Sequence, residues 1–430
     1  MQDKPTPTSL SRRGFFSSAG SLALSAGALV LPAMTSAETL KRRARANLSA
    51  SPDTEPFYGA HQSGIITPKQ RQIMFAAFNL DCGKQSDVIA LLQRWTEASA
   101  RMCHGASARP LGTDPNAAPL DGGSALGLSP AQLTITFGFG PGLFARDGVD
   151  RYGLNAKRPG ALVDLPKFNG DQLVAEKSGG DLCVQACAND PQVVFHAIRE
   201  LVALADGVAS LKWVQTGFDS PPRAGGTGRN LMGFKDGTMN PDASDQAEMN
   251  RQIWVGDEGG WMKNGSYLVV RRIRIALEHW DRSEAGFQQE VVGRDKQSGA
   301  PLGKKHEHDT LNLAARDADG NPMIPEHSHA RLAAAAENGG AEILRRAYSY
   351  NDGANFYSER WPPWRQGIML DAGLFFAAYQ RDPRTGFIRI NSQLASLDAM
   401  NQYTTHVGSG IFACPAGVAP GSYVGADLFV

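Results

Sequence analysis

Net charge is missing from this chain: 43 lysines and arginines balance 43 aspartates and glutamates across 430 residues. Without an overall field, long-range attraction steers neither nucleic acid nor an acidic substrate toward it, which argues against a dedicated nucleic-acid protein. Cysteine is also scarce. Five thiols cannot be the main scaffold of a chain this long, so stability has to come from a buried core. Cys183 and Cys187 stand four apart in an apolar run. If that run is a strand they share a face about 13 Å apart, beyond disulfide reach, and read as buried structural thiols. No CxxCH sequence is present, which excludes haem attached through thioether bonds. Outside the first forty residues no apolar run approaches the length needed to cross a bilayer.

What is present is enough apolar material, 42% of residues, to bury a sizeable core in two or three domains. The N-terminal segment is set apart. Ser11-Arg12-Arg13-Gly14-Phe15-Phe16 precedes a weakly apolar, alanine-rich run to Met34, and Thr35-Ser36-Ala37 supplies the small residues of a cleavage site. Paired arginines in this setting resemble a twin-arginine export signal, which a receptor reads and which is not an anchor. The expectation is a signal over residues 1–37, a polar linker over 38–57, a periplasmic mature chain, and no stable membrane anchor after processing.

From residue 58 onward the patterning alternates between strand and helix. Apolar runs at 69–80, 133–139 and 181–188 read as strands, and 87–98 and 191–207 as helices, the order β, α, β, β, α of a ferredoxin-like unit. The scheme recurs coarsely later, with strands at 267–275, 345–350 and 373–380 and a helix-like stretch running to residue 291. A glycine- and proline-rich segment, 221–230, lies between the halves. The expected domains are therefore 58–230 and 231–430.

Chemistry becomes visible just after that segment. In Gly233-Phe234-Lys235-Asp236-Gly237-Thr238 the glycines allow close backbone approach to a planar group, and the carboxylate can exchange a proton; Asp236 could equally cap a turn. Four of nine histidines, His306, His308, His327 and His329, fall within 24 residues. They admit an axial iron ligand, a zinc or copper site, or an exposed loop. Arg345 and Arg346, adjacent in a strand, should face opposite ways, so that one can enter a cavity and stabilise developing negative charge.

Three segments in this order, Gly233-Phe234-Lys235-Asp236-Gly237-Thr238, Ser328-His329-Ala330-Arg331-Leu332 and Leu344-Arg345-Arg346-Ala347-Tyr348-Ser349-Tyr350, resemble the dye-decolourising peroxidase family. Tyr58-Gly59-Ala60-His61-Gln62 and Gly408-Ser409-Gly410-Ile411-Phe412-Ala413-Cys414-Pro415 extend the likeness, which is strongest to the exported iron-uptake, deferrochelatase-like branch. The resemblance implies an α+β fold: two ferredoxin-like domains with antiparallel β-sheets and peripheral helices, a dimeric α+β barrel-like arrangement, and haem carried mainly by the second domain. It implies one haem b (iron protoporphyrin IX) per chain with His329 as the proximal iron ligand, Asp236 as the distal acid–base group and Arg345 as the distal cation, Arg346 being the alternative. Asn240 and Arg331 are expected beside the haem propionates, and Asp398 behind His329. Its implied partners are hydrogen peroxide and an organic electron donor or dye, a second copy of the chain as homodimer, and haem substrate together with iron-uptake proteins. The competing readings are release of iron from haem with the porphyrin retained, and an exported haem carrier without catalysis.

Overall fold

The computed structural model describes residues 53–222, 225–359 and 364–430; the expected export signal and the linker through residue 52 lie outside the described residues. Order begins earlier than the sequence suggests. Phe57 is buried in the core and the carbonyl of Asp53 accepts a hydrogen bond from Gln132 N at 2.6 Å, so the last residues of the expected linker are part of the folded unit.

Strand β1 (Gln72–Leu80) is followed by helix α1 (Gln85–Cys103), β2 (Thr134–Phe139), β3 (Leu182–Ala188), helix α2 (Pro191–Leu204) and β4 (Ala209–Phe218). The central strands β1 and β3 are apolar on both faces because both are covered, which is why they read as runs and not as alternations. Helix α1 buries Val88, Leu91, Leu92, Trp95 and Met102 along one stripe, and the Trp95 indole donates to Leu201 O at 2.8 Å. Helix α2 starts where Asp190 accepts hydrogen bonds from Gln192 N and Val193 N, with Pro191 in the first turn. Antiparallel pairing gives the order β4-β1-β3-β2.

The second half repeats this plan with β5 (Ser266–Ile275), helix α3 (Ala285–Val292), β6 (Leu344–Arg345), β7 (Tyr348–Ser358), β8 (Gln366–Gln380), helix α4 (Phe387–Leu397) and β9 (Thr404–Cys414). β6 and β7 lie end to end along one edge of β8, whose other edge pairs with β5, and β5 pairs with β9. Single residue pairs join the two sheets at Phe139↔Ala413 and Phe218↔Ser349, closing them into a barrel-like ring. Gln62 reinforces the first seam: its amide donates to Phe137 O and Pro415 O and accepts from Phe137 N.

The inward faces of both sheets meet in one apolar cluster that includes Phe75, Trp213, Tyr348, Phe375, Tyr379 and Phe412. Helices α1 and α2 cover the outer face of the first sheet. All five cysteines are free and four of them are buried, Cys183 and Cys187 among these, as their spacing on β3 predicts. The helix-like stretch ending near residue 291 is broken into Leu277–Trp280 and α3. No described helix is long and apolar enough to cross a membrane.

Candidate active site

Strand alternation builds the site. On β8, Phe375 and Ala377 point into the barrel while Leu374 and Phe376 face the other way, and on β5 Ile273 and Ile275 do the same. These outward residues floor a cavity of about 1030 Å³. Helix α4 and the single helical turn His329–Leu332 form one side of it, and the segment 234–239 forms another.

His329 enters this cavity from the start of its turn, which is pinned from behind by the fully buried Ser328, whose hydroxyl donates to Pro325 O at 2.7 Å. Its Nδ1 lies 2.6 Å from Oδ2 of Asp398, a buried residue at the end of α4 whose other oxygen accepts from Met400 N. With Nδ1 so engaged, Nε2 is the nitrogen left for the cavity, which takes the exposed third of the side chain. Burial opposes charging of this imidazole, but the adjacent carboxylate and its hydrogen bond outweigh burial and raise the pKa above the ordinary histidine value. A histidine made more basic by a buried carboxylate is the arrangement that strengthens an imidazole as a metal ligand.

On the other wall stands Asp236. Its segment is anchored by apolar neighbours: Met232 and Phe234 pack with Trp280, whose indole donates to Met232 O at 3.0 Å. Gly233 and Gly237 have φ of +86° and +111°, conformations that side chains rarely adopt, and so turn the chain sharply on either side of the carboxylate. Asp236 Oδ1 lies 3.3 Å from Arg345 Nη1.

Of the two adjacent arginines, Arg345 lines the cavity. Arg346 is buried on the opposite side, where it donates to Thr67 O, Pro68 O and Gln70 Oε1.

Two expected positions lie outside the lining of the large cavity. Asn240 does not line the large cavity; its amide nitrogen donates to Arg345 O at 2.7 Å and its oxygen accepts from Arg345 N and Nε, so it holds the arginine in place. Arg331, one residue past the cavity-lining Ala330, turns away and spends its guanidinium on Ile324 O and Leu313 O. His306, His308, His327 and His329 form no metal-ligand cluster among the described residues.

Three residues of the wall or its support carry no local sequence signal. Arg294 lines the cavity with Nη1 on Gly299 O and Glu307 O, while its buried Nη2 has no partner. Burial first, and then the like charge of Arg345, lower its pKa. An unsatisfied buried guanidinium nitrogen is costly unless an anionic group reaches it. His406, on β9, accepts a hydrogen bond from Arg271 Nε at 2.8 Å; burial and that guanidinium push it down to about 3, so it remains neutral.

Glu307 clamps the Asp236 segment from outside by accepting from Lys235 Nζ and Thr238 Oγ1. Burial alone would raise the pKa of Glu307, but its hydrogen bonds to Lys235, Thr227 and Thr238 depress it to about 2. A depressed carboxylate stabilises the fold fully above its unfolded pKa, and that contribution is lost as pH falls through the folded value. Thermal unfolding of Glu307→Gln should therefore start from a lower midpoint at pH 6 and fall less steeply than wild type between pH 5 and 3. Parallel profiles would show that the clamp contributes nothing.

A largely apolar cavity lined by an imidazole, a carboxylate–guanidinium pair and an orphaned buried guanidinium nitrogen fits a porphyrin bearing acidic side groups, and its volume is at the upper end for cofactor pockets. The comparisons agree. Family models described as "Dyp-type peroxidase, N-terminal" and "Dyp-type peroxidase, C-terminal" match residues 62–219 and 227–419. A dye-decolorizing peroxidase of Thermobifida fusca is 38% identical over 97% of both chains, and a deferrochelatase of Escherichia coli O157:H7 is 35% identical over 99% of both. Ferric DtpA of Streptomyces lividans superposes with a TM-score of 0.78 at 38% identity, over 88% of this chain and 99% of that one. A DyP-type peroxidase of Cellulomonas bogoriensis gives 0.77 at 37%, with the same coverage. With both halves matched in order and the cavity suited to its cofactor, the chain belongs to the Dyp-type peroxidase family and is a haem peroxidase.

Proposed function

We propose that the chain is a peroxidase with one haem b, whose iron His329 Nε2 would hold, and that it oxidises organic donors or dyes with hydrogen peroxide, on which Asp236 and Arg345 would act. The observation that carries this reading is the convergence of the carboxylate-backed His329 and the Asp236–Arg345 pair on a single cavity. Haem b and not a thioether-linked haem is supported by the lack of CxxCH, and one haem per chain by a single cavity of this size among the described residues.

When bound, haem would supply a redox-active iron and a store for two oxidising equivalents. Asp236 would take a proton from one oxygen of hydrogen peroxide and give it to the other, which leaves as water. Arg345 Nη1, held by Asn240, places fixed positive charge where negative charge develops. Arg294 Nη2, buried without a partner, would receive an acidic side group of the porphyrin. Asp398 fixes the tautomer of His329.

The E. coli relative named deferrochelatase supports a second activity, release of iron from haem with the porphyrin ring intact. The Arg12-Arg13 segment supports export to the periplasm by the twin-arginine route, and the resemblance supports a homodimer and a place beside iron-uptake proteins. A passive haem carrier is the reading to exclude. Purified haem-loaded chain should show a rapid change in its haem absorption on adding one equivalent of peroxide, reversed by a reducing dye. An absorption spectrum inert to peroxide would leave only carriage. Protoporphyrin and free iron, recovered after incubation with haem and a reductant, would establish the second activity.

A further inference from the structure

Away from the haem cavity, the loop between α1 and β2 folds back over α2 and buries a histidine and two carboxylates together. Asp121 comes from the loop and His196 and Glu200 from successive turns of α2, the i, i+4 spacing that places side chains on one helix face. All three are at least 95% buried, and none of them lines the large cavity. One ligand atom from each lies within 4.8 Å of the other two. His196 Nε2 stands 3.7 Å from Asp121 Oδ2, and Nδ1 stands 3.9 Å from Glu200 Oε1.

The hydrogen bonds leave this cluster incomplete. Asp121 accepts from Ala108 N at 2.7 Å and Gly123 N at 2.7 Å, and Glu200 accepts from Gly122 N at 2.9 Å, so backbone amides hold both carboxylates in place without neutralising them. Nδ1 of His196 is engaged by the Ser124 hydroxyl at 2.9 Å. Its Nε2 faces Asp121 Oδ2 at 3.7 Å, longer than a hydrogen bond. The guanidinium of the exposed Arg199 lies over Gly122 and, among the described residues, forms no ion pair with either acid. Two buried carboxylates facing one imidazole leave negative charge uncompensated, which is unfavourable by several kcal/mol per ion unless a cation enters.

We propose that Asp121, His196 and Glu200 bind a divalent first-row transition cation of the zinc class, which ties the 104–133 loop to α2. An imidazole nitrogen with two carboxylates selects such ions over magnesium or calcium, which take oxygen ligands. Ligands about 2.1 Å from a tetrahedral ion sit about 3.4 Å apart. The Nε2–Asp121 Oδ2 separation of 3.7 Å exceeds that value by a few tenths of an ångström, and the ligand atoms of all three residues lie within 4.8 Å of one another, so binding draws Glu200 inward. Ser124 plays the supporting part: a hydroxyl on Nδ1 fixes the tautomer that leaves Nε2 free for the metal.

The test uses the haem-loaded full chain, in which His329 is occupied, treated with a chelator and titrated with zinc chloride by calorimetry. One site per chain is expected, weakened at least about 10-fold by His196→Gln or Glu200→Gln and unchanged by His308→Gln at the exposed loop. Zinc should also slow proteolytic cutting between residues 106 and 133 in the wild-type protein. Absence of a stoichiometric site in the wild type, or equal affinity in His196→Gln, overturns the assignment. If that variant does not fold, Ser124→Ala is read instead: about 10-fold weaker zinc binding supports the site, and unchanged binding overturns it.

Discussion

Asp236→Asn should slow the reaction with peroxide by about 10²- to 10⁴-fold while leaving haem in place, the range expected when a positioned proton-transfer group is removed. The substitution keeps the size of the side chain and an oxygen that can still accept from Arg345 Nη1, now 3.3 Å from Oδ1, so the wall of the cavity should not collapse. What is lost is the capacity to take a proton from one peroxide oxygen and give it to the other. The defect should appear in the peroxide-dependent change in haem absorption followed by rapid mixing, and not in the later reduction by dye. Arg345→Leu tests the partner. If both residues act on the same step, the double variant should be little slower than the worse single one, because groups that work as a unit are non-additive. A wild-type rate in Asp236→Asn would remove the carboxylate from the mechanism and leave Arg345 with it.

The division between what the sequence discloses and what it hides follows from where each constraint is stored. Asp236 sits between two glycines that must turn at positive φ, and Arg345 beside a second arginine in a strand, so local pattern and alternation expose both. His329 is legible for the same reason, being in a short segment of distinctive order. The strands of the two ferredoxin-like units are legible where they are apolar throughout. β4, with Leu211 and Phe218 exposed, is not, and neither is β9, whose first four residues are half-buried. Missing β9 hides His406, because only the strand assignment turns that residue toward the cavity. Missing α4 hides how Asp398 arrives behind His329, 69 residues away in sequence. Arg294 and Glu307 follow α3 in irregular chain; Glu307 matters through Lys235 and Thr238, 72 and 69 residues earlier, and Arg294 through a cavity wall assembled from distant segments. Asn240 shows the opposite failure: a polar side chain next to a functional motif suggests ligand contact, yet its amide is used up in holding Arg345.

His329→Ala carries the other large effect. Loss of an imidazole that, alone among the described residues, both lines the cavity and is braced by a buried carboxylate should weaken haem binding by well over about 100-fold, since removing merely the hydrogen-bond partner of a metal-bound histidine costs about 10- to 100-fold. The protein should still fold. His329 belongs to a four-residue turn held by Ser328 and by the hydrogen bond from Ala399 N to His327 O, neither of which needs the ring. Added imidazole should restore the histidine-type absorption spectrum, because the space vacated by the side chain admits the free ring while the Asp398 carboxylate remains to orient it. Asp398→Asn separates ligation from tuning: haem should stay bound through His329, but with a less basic ligand the reduction potential should move to a more positive value. Retention of an unaltered spectrum by His329→Ala would require another ligand. His327 and His406 are the remaining cavity histidines, but Arg271 and burial already hold His406 neutral with its Nδ1 occupied, so His327→Ala in the same background would decide between them.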